Sequence, residues 1–384
     1  MKPVEKILNY LMAFSLCFAM LACSGVENPD SGDENKKDEN KNEEIEKPKP
    51  PVKEIFGKGP IGELNSAKIV SKMGVGWNLT NTLDAPTETM WGNPKATKEL
   101  LNAVKAKGFK TFRVPVSWQN HMGDAPDFTI DATWMKRVEE VVNYGLENEM
   151  YVILDVHHDD DWIRPSYQDL DASRDQLVKV WTQIANHFEE YNEKLIFETI
   201  NEPRLKGDPM EWQGGSPEGR DCVSQLHASA VRAIRATGGN NARRQIMVSP
   251  YGANPQAAPD LKLPVDDDQI IISIHSYHPY FFCLADNNFT TVWGSEEDRK
   301  GLRDELDGLV KLFVSKGRPV IIGEWGAKNR NNEDYCIEHA RFFADQCVRR
   351  GICPVVWDFG YIDRHTYRWL RPEVIEAMLE ADRD

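Results

Sequence analysis

The amino-acid sequence predicts an α/β fold, a single (β/α)8 TIM barrel preceded by a signal peptide and a disordered tether. Beyond Val52, eight short apolar runs alternate with longer amphipathic segments, which is typical of strands followed by helices. No change of composition marks a second domain, and a chain of 384 residues suits one large barrel. Repeated strand and helix alternation produces a parallel sheet, and eight units close that sheet into a barrel.

The first 22 residues have the pattern of a secretory signal. Lys2 and Lys6 precede an apolar run over 7–22 that is too short to span a bilayer comfortably. The run ends in Ala22 directly before Cys23, which resembles a bacterial lipoprotein cleavage site with Cys23 as the lipidated residue. Met20 departs from the usual pattern of that site, so ordinary secretion stays as the alternative.

Residues 23–51 form the predicted tether, and residues 52–384 form the predicted catalytic domain. Residues 24–50 contain no aromatic residue and mix charges with Asn, Gly and Pro, so they cannot bury a core. An acidic stretch after the lipidated Cys resembles the export tether of Bacteroidetes lipoproteins. This resemblance implies an outer-membrane lipoprotein, at the cell surface or in the periplasm.

The charge of the chain disfavours nucleic acid as a partner. The formal net charge is -15, and residues 1–50 hold ten acidic and seven basic residues, so the remainder keeps a charge of -12. Phosphate binding depends on a basic surface, whereas a neutral polymer suits this one. Five of the seven Cys lie in the predicted domain without metal-finger spacing, and we interpret them as small buried residues with at most one optional disulfide: Cys222, Cys283, Cys336, Cys347 and Cys353.

Each predicted strand is a short run of apolar, mostly β-branched residues. In chain order the eight strands are Val75–Asn78, Thr111–Pro115, Tyr151–Asp155, Leu195–Thr199, Gln245–Val248, Ile270–Ile274, Pro319–Gly323 and Pro354–Trp357.

Amphipathic patterns predict helices in seven of the intervals after these strands, and the fifth crossover is weak. An open, doubly wound sheet is the structural alternative, but it predicts a Gly-rich phosphate turn, and Gly74 and Gly76 have no third Gly at the required spacing. The predicted helices are Lys95–Lys107, Ala132–Asn148, Ser173–Tyr191, Asp221–Thr237, Glu296–Lys316, Glu333–Arg350 and Pro372–Asp382.

Polar and aromatic side chains collect at the carboxyl ends of six predicted strands. Active sites of (β/α)8 barrels lie at that end, and unrelated structural residues have no reason to share it. The candidate site residues are Arg113, His157, His158, Asn201, Glu202, His275, Tyr277, Glu324 and Trp357.

Two of these residues are carboxylates on nonadjacent strands, Glu202 after the fourth and Glu324 after the seventh. Cleavage of a glycosidic bond needs one protonated and one ionised carboxyl. We expect Arg113 to keep Glu324 ionised, because a nearby cation lowers the pKa of a carboxyl. Glu202 then holds the proton, since it lies in a less charged setting and faces an anion.

Seven segments together resemble glycoside hydrolase family 5, most closely its endoglucanase-rich subfamily 4. The resemblance covers nearly all of residues 65–384. It implies a retaining endo-β-1,4-glucanase, with a xyloglucan-specific or mixed-linkage β-glucan endohydrolase as alternatives, and we expect a monomer without a cofactor. The segments are GWNLTNTLDA (76–85), TFRVPVSW (111–118), VILDVHHD (152–159), LIFETINEPR (195–204), IHSYHPY (274–280), PVIIGEWGA (319–327) and VVWDFG (355–360).

The resemblance also implies a role for each candidate residue. Glu202 is the acid/base and Glu324 is the nucleophile, which agrees with the reasoning from carboxylate pairing. The other implied roles are Arg113 and Tyr277 as hydrogen-bond donors to the nucleophile, Asn201 as a ligand of the sugar 2-hydroxyl, His157 as a ligand of another hydroxyl, His275 beside Glu202, Trp357 as the stacking floor, and His158 as a more distant contact.

Three positions depart from the family pattern. Thr80 replaces a usual Gly, Phe359 a common Asn and Ser276 a usual Ala. We expect these three residues to line the cleft away from the cleavage point, where they affect substrate preference.

Two other functions are weighed against this hypothesis. A metal-dependent hydrolase is suggested by the run His157 to Asp161 and by the pair His275 and His278, although the usual HxH and HExxH patterns of barrel metal sites are absent. A non-catalytic glycan-binding barrel would keep Trp357 and lose the carboxylates, and both carboxylates are present.

Overall fold

The computed structural model describes residues 56–62, 65–263 and 267–382. The predicted signal peptide, Cys23 and the predicted tether lie outside these residues. Eight parallel strands form a closed barrel in the order β1 to β8. The predicted (β/α)8 fold is therefore confirmed.

Every strand boundary lies within one residue of its prediction. The strands are β1 (Gly76–Asn78), β2 (Thr111–Val114), β3 (Tyr151–Asp155), β4 (Leu195–Glu198), β5 (Ile246–Val248), β6 (Ile270–His275), β7 (Val320–Glu324) and β8 (Cys353–Val356).

Helix starts differ more from the predictions, because capping residues decide them. Helix α2 begins three residues late, after Thr97, whose hydroxyl accepts from the backbone N–H of Leu100. Helix α5 begins four residues early, at Pro217, after the N-cap Ser216. The helices are α1 (Ser66–Met73), α2 (Lys98–Lys107), α3 (Ala132–Glu147), α4 (Leu170–His187), α5 (Pro217–Ala236), α6 (Tyr280–Cys283), α7 (Glu296–Leu312), α8 (Glu333–Val348) and α9 (Pro372–Leu379).

The weak fifth crossover contains two 3₁₀ segments, Tyr251–Ala253 and Pro255–Asp260, where the other intervals have α-helices. Pro255 and Pro259 lack a backbone N–H, which limits this segment to short turns.

Helix α1 was not predicted, and it closes the amino-terminal end of the barrel. Its apolar residues are Ile69, Val70 and Met73, all buried. They pack against inward-facing side chains of the strands, because alternate strand residues point into the barrel. This set, the apolar layer, consists of Ile153, Ile196, Met247, Ile271, Ile321, Cys353 and Val355.

Two residues further along the strands, the inward positions become polar. Asp155 follows Ile153, Glu198 follows Ile196, and Ser273 follows Ile271. Together with Asn78 and Arg113 these side chains are fully buried and connected by hydrogen bonds and by the ion pair of Arg113 with Asp155. We call Asn78, Arg113, Asp155, Glu198 and Ser273 the polar layer.

Both ends of the described chain meet the amino-terminal face of the barrel. Residues 56–62 run beside the segment that precedes β4, where the N–H of Asn192 donates to the carbonyl of Gly57. At the other end, a carboxylate oxygen of Asp382 accepts from the N–H of Val75, just before β1.

The five cysteines Cys222, Cys283, Cys336, Cys347 and Cys353 are buried and free, as small core residues. Among the described residues, no helix has the length and apolar character needed to cross a membrane.

Candidate active site

All nine candidate residues lie at the carboxyl end of the barrel and surround one cleft. Arg113 is in β2, His157 and His158 follow β3, and Asn201 and Glu202 follow β4. His275 ends β6 and Tyr277 follows it, Glu324 ends β7, and Trp357 follows β8.

The two carboxylates are close to each other. An oxygen of Glu202, a nitrogen of His275 and an oxygen of Glu324 all lie within 4.8 Å of one another. Retaining glycosidases hold their carboxyls about 5 Å apart, whereas inverting enzymes leave about 6.5–9.5 Å for a water molecule. The separation here fits direct attack by a carboxylate.

Glu324 accepts two hydrogen bonds. Arg113 Nη1 donates to Oε1 at 3.1 Å, and the Tyr277 hydroxyl donates to Oε2 at 2.9 Å. Both bonds are to the charged form of the carboxyl and hold its orientation.

Glu202 has a different set of neighbours. His275 Nδ1 lies 2.8 Å from its Oε1 and 3.6 Å from Glu324 Oε2. The other ring nitrogen of His275 is buried without a hydrogen-bond partner among the described residues. Burial also lowers the pKa of His275, so the neutral ring carries its proton on Nδ1, between the two carboxylates.

Burial raises the pKa of both Glu202 and Glu324 to about 7. Arg113 lowers both values, yet burial outweighs it, so Arg113 does not by itself keep Glu324 ionised. The prediction that Glu202 lies in a less charged setting is wrong, because Arg204 Nη1 lies 3.9 Å from its Oε2 and lowers its pKa more than Arg113 does. The two pKa values therefore do not distinguish the carboxyls, whereas the two hydrogen bonds that Glu324 accepts from Arg113 and Tyr277 do.

His157 is oriented by a residue that the sequence analysis did not select. Its Nδ1 lies 2.7 Å from Asp155 Oδ2. Asp155 also forms an ion pair with Arg113 and accepts from the N–H of Val116. With Asp155 ionised, the His157 proton is on Nδ1, and Nε2 faces the cleft as an acceptor, 4.0 Å from Glu324 Oε1.

Trp357 lies parallel to His157, with ring centroids 5.9 Å apart, and is half-buried. Its partly exposed ring suits the apolar face of a pyranose. His158 packs edge-on against Trp91, a Trp that is 46% exposed and was not predicted as a site residue.

A cavity of about 320 Å³ lies beside His158. Arg204 forms part of its wall and makes ion pairs with Asp160 and Glu211, and Trp212 stacks on its guanidinium. The lining residues are Asp84, Pro86, Trp91, Ser117, Gln119, Asn120, His158, Asp160, Arg204 and Lys206.

Two of the three departures from the family pattern do not line the cleft. Thr80 is buried and donates to the carbonyl of Asp358, and Ser276 is buried and donates to Glu305. The expectation of a cleft position was wrong for both, because each hydroxyl is used inside the protein. Phe359 is half-buried and packs edge-on against Tyr277.

Among the described residues, two groups of side chains could hold a metal ion. One is Asp84, His157 and His158, and the other is Glu202, His275 and Glu324. Asp84 already accepts the N–H groups of Asn81 and Thr82, and His157 Nδ1 is engaged by Asp155. These atoms are thus used within the protein.

A parallel barrel with two close carboxylates at its carboxyl end, beside an exposed aromatic ring, defines a glycoside hydrolase. The family described as Cellulase (glycosyl hydrolase family 5) matches residues 72–363. The chain belongs to this family.

Relatives with printed activities agree with the predicted endo-β-1,4-glucanase activity. The chain is 46% identical to Cellulase/esterase CelE of Acetivibrio thermocellus over 83% of its own length, but it spans only 41% of that protein. It is 45% identical to Endoglucanase B of Clostridium cellulovorans, covering 84% of this chain and 77% of the relative. A broad-specificity endoglucanase from Ruminococcus champanellensis, solved with bound cellotriose, is 40% identical with a TM-score of 0.81, covering 84% of this chain and all of the relative.

Proposed function

We propose that this chain is an endo-β-1,4-glucanase that retains the β configuration, with Glu324 as nucleophile and Glu202 as acid/base. The observation that carries this proposal is the separation of the two carboxylates, which lie within 4.8 Å with His275 between them. This separation fits the about 5 Å of a retaining glycosidase and is shorter than the about 6.5–9.5 Å of an inverting one.

In the first step Glu324 attacks the anomeric carbon while Glu202 gives its proton to the leaving glycosidic oxygen. Arg113 and Tyr277 hold the attacking carboxylate in place. The glycosidic bond breaks, and the sugar becomes linked to Glu324 as an ester.

In the second step Glu202 acts as a base. The two carboxyls are electrostatically coupled, so esterification, which removes the charge of Glu324, should lower the pKa of Glu202. Glu202 then takes a proton from water, the water attacks the anomeric carbon, and Glu324 is released.

The bound sugar is positioned by Asn201 at the 2-hydroxyl, by His157 Nε2 at another hydroxyl, and by the ring of Trp357 below it. These roles follow the family resemblance and are supported by the geometry: Asn201 is held by Arg113 Nη2 at 2.7 Å, and His157 is held by Asp155. His158 lies further along, against Trp91.

Proton NMR of the first product tests the mechanism. A soluble β-glucan should release the β-anomer first, with the α-anomer appearing only through mutarotation. A product that begins as the α-anomer contradicts the nucleophilic role of Glu324.

A second assay separates this mechanism from a metal-dependent one. Hydrolysis in excess EDTA should proceed at the rate measured without chelator. Loss of activity that Zn²⁺ restores would favour the ion groups around His157 and His275 over carboxylate catalysis alone.

Linear β-1,4-glucan is the proposed substrate, with xyloglucan and mixed-linkage glucan as the nearest alternatives. The relative from Ruminococcus champanellensis supports linear β-1,4-glucan as a substrate, because it was solved with bound cellotriose. A panel of these polymers with xylan and mannan, followed by product sizing, tests both the preference and the endo action. Release of single sugars from the start contradicts endo action.

The proposed location is the outer membrane, through a lipid on Cys23, with the protein as a monomer. The proposal is supported by the apolar run over 7–22 and by Ala22 before Cys23. Cys23→Ala should move the protein from the membrane fraction to the soluble fraction, and protease treatment of whole cells distinguishes the outer from the inner face. Light scattering of the domain checks the monomer.

A further inference from the structure

The guanidinium of Arg113 has partners at all three of its nitrogens, through four hydrogen bonds and one further ion pair. Nε donates to Glu198 at 2.7 Å, and Nη1 donates to Asn78 at 3.0 Å and to Glu324 at 3.1 Å. Nη2 donates to Asn201 at 2.7 Å and forms an ion pair with Asp155 Oδ2 at 2.9 Å. Because guanidinium is a rigid planar fork, it cannot turn toward one partner without losing another.

Glu198 fixes the side of this fork that faces away from the nucleophile. Its Oε2 accepts from Arg113 Nε, and its Oε1 accepts from the hydroxyl of Ser273 at 2.6 Å. Glu198 is completely buried in β4, four residues before Glu202, and it lies in the polar layer beneath the cleft. A bound sugar therefore does not reach it.

We infer that Glu198 is a positioning residue for the reaction: through Arg113 it aligns Glu324 and Asn201, and its negative charge balances the guanidinium behind the two catalytic carboxylates. This inference rests on the proposed function. It gives the buried acid of the LIFETINEPR segment a role distinct from that of Glu202 in the same segment.

The charge of Glu198 matters because the surroundings are buried and charges are weakly screened there. Glu198 raises the pKa of Glu202, whereas Arg113 lowers it. Removal of the Glu198 charge leaves the guanidinium less balanced, so Glu202 should lose its proton at a lower pH. Other charged and titratable groups also surround Glu198 and Glu202. They are Arg113 in β2, Asp155 in β3, Asp160 and Arg204 in the loops after β3 and β4, His275 in β6 and Glu324 in β7.

Glu198→Gln separates charge from shape. The amide oxygen can accept from Arg113 Nε, and the amide nitrogen can donate to the hydroxyl oxygen of Ser273, so both contacts persist while the charge is lost. We expect kcat on a soluble β-1,4-glucan to fall about tenfold or more, since small misplacements of catalytic groups are costly, with KM changed much less. The alkaline limb of the pH–rate profile should move to lower pH.

Glu198→Asp and Ser273→Ala are the matched variants. Asp keeps the charge but is one methylene shorter, so it should lower kcat through misalignment and keep the wild-type alkaline limb. Ser273→Ala removes a hydroxyl partner of Glu198 and keeps the charge, so its alkaline limb should also match the wild type.

The inference is overturned if Glu198→Gln has the wild-type pH profile, whether or not its kcat falls. A residue with a purely structural role would lower kcat without moving the alkaline limb. If Glu198→Gln does not fold, Glu198→Asp is the test, because it keeps the charge. An alkaline limb in Glu198→Asp that is shifted as far as a charge loss requires would then also overturn the inference. Failure of the proposed function is separate, since it would be seen in the wild-type protein as an α-anomeric first product or as no cleavage of β-1,4-glucan.

Discussion

The apolar layer and the polar layer occupy the same barrel, two residues apart along the same strands, and they have opposite chemistry. Ile153 and Ile196 pack against helix α1, whereas Asp155 and Glu198 hold Arg113. Both layers are completely buried. The comparison teaches that one end of the barrel interior provides stability and the other end holds charges in place for chemistry.

Burial has opposite consequences in these two layers. An apolar side chain is stabilised by about 25 cal/mol for each Å² removed from water. A carboxyl is destabilised in its charged form, and this raises the pKa of Asp155 to about 6 even with Arg113 beside it. The polar layer is therefore tolerable only because each charge has a partner.

Glu324→Ala should give the largest effect, because it removes the nucleophile. We expect turnover of a β-1,4-glucan to fall on the order of 10⁴-fold or more, while affinity for the glycan persists. Turnover assays and affinity electrophoresis measure the two quantities. Ile321→Val, three residues earlier on β7 in the apolar layer, is the control and should keep the wild-type rate. Unchanged turnover in Glu324→Ala would show that the nucleophile has been assigned wrongly.

Ile196→Ala should have the reverse effect, on stability and not on rate. The side chain is completely buried against the apolar layer, so its truncation leaves a cavity that costs about 2–5 kcal/mol. Thermal unfolding monitored by circular dichroism should show a lower Tm, with kcat of the folded protein unchanged below the transition. A large loss of kcat without a change of Tm would show that the apolar layer controls the rate and not the stability.

The pH dependence of the wild-type rate should be bell-shaped, with limbs on either side of about pH 7. Burial raises the pKa of both catalytic carboxyls to about 7. The charge of Glu202 also raises the pKa of Glu324, and such coupling separates the two proton losses. Below the bell both carboxyls are protonated and no nucleophile is present. Above it both are ionised and no acid is present. A rate that rises without a maximum through pH 9 would exclude a carboxyl as the acid.

Thr80→Gly should give the smallest effect. It removes a buried hydrogen bond to the carbonyl of Asp358, worth about 1 kcal/mol, so Tm should fall slightly. The order of preference among β-glucans should not change, because Thr80 is 1% exposed and cannot contact a polymer. A changed order of preference would show that Thr80 does affect the binding of the polymer in the cleft.

The sequence predicted the strands and the rim residues well, because strand periodicity and the order of the motifs are local signals. Helix α1 was not predicted, because eight residues are too few to show a clear helical repeat of apolar residues. Asp155 and Glu198 were missed although they stand two residues after Ile153 and Ile196, an alternation that identifies them as inward-facing.

The electrostatic setting of Glu202 was mispredicted although Arg204 stands only two residues later, because the direction of the Arg204 side chain depends on its contacts with Asp160 and Glu211. Arg204 reaches Glu202 only through the arrangement of two loops, in which Asp160 and Glu211 hold its guanidinium. Likewise, the burial of Thr80 and Ser276 depends on partners that are distant in sequence, Asp358 and Glu305. Residue type alone does not reveal such partners.

The described part of the chain begins and ends at the amino-terminal face of the barrel, and this has a steric consequence. The segment around Gly57 and the carboxylate of Asp382 both meet the end of the barrel that is closed by α1, while Glu202 and Glu324 open at the other end. A support or partner attached beside Gly57 or Asp382 would therefore lie at the end of the barrel opposite the mouth. A long glycan that lies across this mouth, and does not enter it by a chain end, presents its internal glycosidic bonds to the carboxylates.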